Sequence, residues 1–266
     1  MNNSQTKNQE PGIKNYTLNA KRYALNIGWI YPKLMNVYGD RGNIITLQKR
    51  CQWRDIEVEI KYLDAPLLEE DLEKCDLLMM GGAQDEQQEI VSRDLKKKNK
   101  TLKSAIEKGI PGLYVCGAYQ FLGNYYKEAD GTEIPGLGIF DLHTINPGKE
   151  RLIGNLAVKT DFVGNLIGFE NHGGRTYLGK NIKPLGNVVS GFGNNGEDKT
   201  EGAVYKNSIG TYFHGPILPK NPELADYLIK ISLKVKYKEN FELKKLDDSI
   251  AENARKVIAK RLSIAI

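Results

Sequence analysis

The chain has 266 residues with 38 basic and 33 acidic side chains and a net charge of +5 at neutral pH. It is long enough to bury a sizeable core, and its positive charges are interleaved with acidic ones, which argues against a nucleic-acid partner. Three cysteines, Cys51, Cys75 and Cys116, form no disulfide framework and point to a reducing compartment; without an apolar run fit for a membrane span or a signal peptide, a cytoplasmic location is expected.

Residues 1–20 are polar, rich in Asn, Gln and Lys, and read as a disordered tail, leaving one domain over 21–266. Tyr23–Tyr31 reads as the first strand, and Asp40-Arg41-Gly42-Asn43 as a loop and cap opening a helix through about Trp53. A strand at Glu57–Leu63 and an apolar one at Cys75–Met80 follow, the second of the kind buried inside a parallel sheet and ending in Gly81-Gly82. Helices at about 86–98 and 101–108 lead to the strand Gly112–Val115. The βαβαβ order implies an α/β fold with a mainly parallel central sheet flanked by helices. Lys96-Lys97-Lys98 lies in a polar helical stretch and reads as a solvated face. From Gly136 to Tyr205 the texture shifts to short strands with many glycines, an antiparallel portion. Ile209–Phe213 is the last strand, and helices at about 222–237 and 247–262 close the chain.

The chemistry concentrates at Gly112–Gly123, an apolar strand that runs into a tight turn and a helix with Cys116 at the bend. A nucleophile on such an elbow is held exposed, and the free N–H groups of the following helix favour thiolate over thiol. The bland alternative is a buried cysteine acting as a small hydrophobe. A cysteine nucleophile needs a base, and the chain has only His143, His172 and His214 to supply one. His214 ends an apolar strand before Gly215-Pro216, which sets it on the same rim as Cys116 if the two strands are parallel. His172, with Glu170 and Arg175 nearby, is the competitor, and His143 continues a strand. Pro216 occupies the place of an acid two residues after the base, so a Cys/His dyad is expected. Backbone N–H groups of Gly82 and Gly117 are the candidate oxyanion donors, although Gly81-Gly82 also suits an ordinary strand-to-helix turn. Gly174–Asn181 matches the glycine and lysine spacing of a phosphate loop, but Asn181 replaces the magnesium-binding hydroxyl and Pro184 prevents the helix that should follow. No Cys/His spacing suggests zinc, and no metal site is expected.

Val115-Cys116-Gly117-Ala118-Tyr119-Gln120, Met80-Gly81-Gly82, Gly168–Thr176 and Gly210–Pro216 together resemble the class I glutamine amidotransferases of the cobyric acid synthase-like group, over about residues 22–260. Within that group the chain is similar to glutaminase subunits of lipid II isoglutaminyl synthases. The resemblance implies that Cys116 attacks the side-chain amide of L-glutamine, that His214 protonates departing ammonia, and that water cleaves the glutamyl thioester. It sets Gln120 against the bound glutamine, the alternative being a helix-surface side chain. It sets Arg151 against the α-carboxylate, the alternative being a solvated arginine. Ala83 and Ala118 stand where many relatives carry glycine. No cofactor is expected in this chain; ATP and Mg are implied on a MurT-like Mur ligase subunit. In the heterodimer that partner would use the ammonia to amidate D-glutamate of the lipid II stem peptide to D-isoglutamine in peptidoglycan biosynthesis, and through it and lipid II the chain would work at the inner face of the membrane. A γ-glutamyl hydrolase, an amidotransferase with another acceptor, and a non-catalytic scaffold subunit stay open as other readings.

Overall fold

The structure is a computed structural model that describes residues 22–83 and 85–264, so the polar stretch 1–20 lies outside the described residues. The first half alternates strands and helices: β1 (Ala24–Ile30), a 3₁₀ turn (Val37–Gly39), α1 (Arg41–Gln52), β2 (Glu57–Leu63), α2 (Glu69–Glu73), β3 (Leu77–Met80), α3 (Asp85–Lys97), α4 (Asn99–Glu107), β4 (Gly112–Val115) and α5 (Gly117–Phe121). The second half is mostly strands: β5 (Tyr125–Lys127), β6 (Glu133–Pro135), β7 (Leu142–Ile145), β8 (Leu152–Thr160), β9 (Gly164–His172), β10 (Arg175–Leu178), β11 (Gly186–Ser190), β12 (Thr200–Glu201), β13 (Ala203–Tyr205), β14 (Ser208–Thr211) and β15 (Phe213–His214). It closes with α6 (Ile217–Lys220), α7 (Pro222–Tyr237) and α8 (Ser249–Leu262).

The central sheet has the order β13-β14-β4-β3-β1-β2, with all neighbours parallel except the β13–β14 edge. Its middle strands need apolar side chains on both faces, and every residue of β3 and of β4 is buried. One face packs Leu47, Leu224 and Leu228 from α1 and α7 against Leu25, Ile27 and Leu113, and the other packs Val91, Leu95 and Leu102 from α3 and α4 against Ile30, Leu78 and Met80. The second half forms two smaller sheets, β10-β7-β5-β6 and β12-β11-β8-β9-β15, antiparallel as expected except for the parallel β5–β7 pair. Among the described residues no helix is long and apolar enough to cross a membrane.

Register decides what emerges at the carboxyl edge. Met80 aligns with Tyr114, and Val115 with Thr211, so Gly81-Gly82, Cys116 and Tyr212 leave adjacent strands side by side, where open parallel sheets present their ligands. The strand expected at Ile209–Phe213 is not continuous. It breaks at Tyr212, so that β14 stays in the central sheet while β15 pairs antiparallel with β9. The cause is local: Thr211 Oγ1 accepts the N–H of Phe213 (3.1 Å) and a buried carboxylate takes the N–H of Tyr212 (2.8 Å), which removes both from a straight ladder.

Helix α5 lies directly on β14 because Gly210 has no side chain; a Cβ there would overlap the Tyr119 ring. Gly210→Ala is therefore expected to cost about 2 kcal/mol through overpacking, measured by urea unfolding. Gly154→Ala, whose Cβ would meet only Phe192 at 3.9 Å, is the comparison expected to change little.

Candidate active site

Cys116 sits between β4 and α5 with φ +53° and ψ −108°, a conformation that side chains other than glycine rarely adopt. The bend is fixed on both sides: the Cys116 N–H donates to Thr211 O (2.8 Å), and the Gln120 N–H donates to Cys116 O (3.0 Å). Cys116 is partly exposed, unlike Cys51 and Cys75, whose thiols burial pushes up to about 12. Those two are inert packing groups.

His214 reaches the same corner from β15. A Cβ built on Gly82 would lie 3.3 Å from Cys116 Cβ and 3.4 Å from His214 Cε1, so Gly82 leaves the gap in which nucleophile and imidazole meet. His214 is fully buried. Burial disfavours its charged form, but the negative charges of Cys116 and Asp40 outweigh that and hold it up at about 10. The imidazolium is thus the form the site prefers when the sulfur is a thiolate.

Asp40 was readable in the sequence only as a helix cap. In the structure its side chain caps nothing in α1; the fully buried carboxylate turns inward. Its Oδ2 accepts the N–H of Gly82 (2.8 Å), and its Oδ1 lies 3.9 Å from His214 Nδ1. A carboxylate thus stands behind the imidazole although Pro216 fills the position two residues after it. The start of α1 is seated there by Asn43, whose Oδ1 accepts the Leu218 N–H (2.9 Å), and by Gly42, whose Cβ would overlap Pro216. Glycine at 81 is equally required, since a Cβ would lie 2.6 Å from Asp40 Oδ2.

The candidate oxyanion donors differ. Gly117 begins α5, where a helix start leaves N–H groups without intrahelical partners. Gly82 is beside the sulfur, yet its N–H is committed to Asp40, so in this conformation it serves the acid and is not presented to a substrate oxygen. Gln120 is not a surface residue of α5. It is buried, its Nε2 donates to Tyr212 O–H (3.1 Å), and it borders a cavity of about 470 Å³ lined also by Arg93, Lys96, Phe121, Tyr126 and Glu128. Arg151 is exposed and grips Asn171, Nε to Oδ1 and Nη2 to the carbonyl, both at 2.7 Å. The β8–β9 register sets it beyond the Leu152–His172 pair, whereas His214 pairs with Phe169.

The other histidines are held by packing. His172 stacks on Tyr212 at 3.6 Å with an angle of 7°, its Nδ1 lies 2.8 Å from Gly174 O, and burial pushes it below the ordinary histidine value. His143 lies between the rings of Tyr125 and Tyr177. Arg175–Leu178, inside the apparent phosphate loop, is strand β10 paired with β7.

Residues 26–222 match the family model of the CobB/CobQ-like glutamine amidotransferase domain. The chain is 45% identical over 230 residues to the lipid II isoglutaminyl synthase (glutamine-hydrolyzing) subunit GatD of Staphylococcus aureus, covering 85% of this chain and 91% of that one. It is 41% identical over 233 residues to the subunit of the same name from Streptococcus pneumoniae, covering 86% and 88%. A probable cobyric acid synthase of Methanococcus maripaludis is 31% identical over 209 residues, 71% of this chain and 40% of that one. Among solved structures, a glutamine amidotransferase superposes with a TM-score of 0.55 at 15% identity, covering 77% of this chain and 98% of that one. The glutaminase domain of Trypanosoma brucei CTPS gives 0.50 at 12%, covering 83% and 96%. At those identities the superpositions show a shared fold.

The position of His214 carries a signature in stability. Its folded value of about 10 lies above the ordinary 6.5, so its contribution is complete below about 6.5 and is lost as pH rises through about 10. The margin in melting temperature of the wild type over His214→Gln is expected to shrink steadily across that window. A margin constant with pH would contradict the assignment.

Proposed function

The chain belongs to the CobB/CobQ-like glutamine amidotransferase family, and from that premise we propose that it is the glutaminase subunit of a lipid II isoglutaminyl synthase. The observation that carries the reading is the corner where Cys116, His214 and Asp40 converge around Gly82. High identity over nearly the whole length of the two GatD relatives supports the same assignment of substrate and acceptor.

In this reading the Cys116 thiolate attacks the side-chain amide carbon of L-glutamine, and the Gly117 N–H stabilises the oxyanion. The His214 imidazolium gives its proton to the amide nitrogen, the C–N bond breaks, and ammonia leaves a glutamyl thioester. Neutral His214 then takes a proton from water as it attacks the thioester, releasing glutamate and regenerating the thiolate. Asp40 orients the imidazole and stabilises its charged form, the role of the third member of a triad, supplied from the start of α1. Gln120, and Arg151 just before β8, are assigned to the glutamine. A MurT-like Mur ligase subunit carrying ATP and Mg receives the ammonia and amidates D-glutamate of the lipid II stem peptide.

Cys116→Ala is expected to abolish glutamate release from glutamine by the chain with its ligase subunit, and Asp40→Asn to lower kcat on the order of 10²-fold or more with little change in KM. Release undiminished in Cys116→Ala would refute the nucleophile. Glutamine-dependent amidation of lipid II by the ligase subunit with this chain, and none of another carboxylate, is the outcome expected for the acceptor.

A further inference from the structure

The break between β14 and β15 is held by a buried acid outside the Cys116–His214–Asp40 cluster. Glu201, at the end of β12, is completely buried, and its Oε1 accepts from Thr211 Oγ1 (2.7 Å) and from the Tyr212 N–H (2.8 Å). Thr211 in turn offers its carbonyl to the Cys116 N–H (2.8 Å) and its hydroxyl oxygen to the Phe213 N–H (3.1 Å). One hydrogen-bond path therefore runs from Glu201 through Thr211 to the nucleophile, and a second fixes Tyr212, two residues before the imidazole. The acid is itself anchored next door: Asn194 Oδ1 accepts from the Gly202 N–H (2.9 Å) and from Tyr119 O–H (3.1 Å), and Asn194 Nδ2 donates to Gly202 O (3.0 Å). Tyr119 belongs to α5, so the knot closes on the helix that follows Cys116.

A fully buried carboxylate is costly to keep, and burial pushes this one up to about 7 even with two donors on one oxygen and despite their opposing effect. Straight continuation of β14 would need no such group. Resting on the Cys116–His214 reading above, we propose that Glu201 is a positioning residue for the amidotransferase reaction. It clamps Thr211–Tyr212 so that β14 fixes the backbone of Cys116 while β15 carries His214 to the sulfur. Its contribution is geometric, since it touches neither the sulfur nor the imidazole directly.

The test compares Glu201→Gln, Glu201→Leu, Thr211→Val and Cys116→Ala in the full chain with its ligase subunit. It measures kcat and KM for glutamate release, the rate constant for iodoacetamide alkylation of Cys116 near pH 7, and cooperative melting as a check of folding. Gln keeps an acceptor oxygen for both donors and is expected to stay near the wild type. Leu removes it, and the resulting displacement of about 1 Å should lower kcat on the order of 10²-fold with KM nearly unchanged. Thr211→Val, which deletes the hydroxyl and with it both the link to Glu201 and the acceptor of the Phe213 N–H but leaves the Glu201–Tyr212 bond, should fall between them, and the alkylation rates should follow the same order. Folded Leu and Val variants with wild-type kcat and alkylation rate would overturn the proposal; if the Leu variant does not fold, the Val variant decides alone. Glutamate release that survives in Cys116→Ala would overturn the nucleophile assignment and this inference with it. Release lost there, with Glu201 variants unaffected, would overturn the inference alone.

Discussion

The backbone of Cys116 is the constraint on which the rest of the site depends. A φ of +53° at a residue with a side chain costs on the order of 1–3 kcal/mol, and it persists only where the surroundings leave no alternative. Here they are the ladder to Thr211, the first turn of α5, and the burial of Ala118 and Tyr119 against β14. The conformation turns the sulfur off the end of a buried strand toward the carboxyl edge of the sheet. A relaxed residue would leave the side chain among the apolar neighbours of β4.

The electrostatics follow from that geometry. Helix α5 has five residues, so its dipole is short, and the charge that faces the sulfur is the imidazolium of His214. That charge is favoured in a fully buried place by Asp40 and, once the sulfur ionises, by Cys116. Asp40 is kept from collapsing onto other partners by the Gly82 N–H and by the seating of α1 on the Gly215-Pro216 turn. Three segments remote in the chain, 40–43, 81–82 and 211–216, thus meet at one cysteine. Their glycines are small because the approach is close.

Much of this was legible in the sequence. Continuous apolar runs at Leu77–Met80 and Gly112–Val115 mark the interior strands, glycine pairs mark the turns after them, and a strand-turn-helix with a cysteine at the bend marks the elbow. The parallel order follows from the alternation of elements, with β14 beside the Cys116 strand. His214, however, reaches the rim of Cys116 from β15 in another sheet and not along a continuous parallel strand. What was not legible depends on contacts distant in the chain. Asp40 precedes a helix and looks like a cap, and only tertiary packing turns it toward His214. Glu201 sits in a loop-rich stretch with nothing in its spacing to show that it takes the Tyr212 N–H and splits an apparently continuous strand. The commitment of the Gly82 N–H to Asp40 is likewise invisible without coordinates.

Every role assigned to the site depends on covalent chemistry at Cys116 directed by glutamine. The most direct measurement is peptide mass mapping of the chain after reaction with an electrophilic glutamine analogue bearing a chloromethyl ketone, with and without excess L-glutamine. One adduct per chain is expected, located on Cys116 and suppressed by glutamine, with Cys51 and Cys75 unmodified. An adduct on another residue, or labelling of Cys116 indifferent to glutamine, would contradict it.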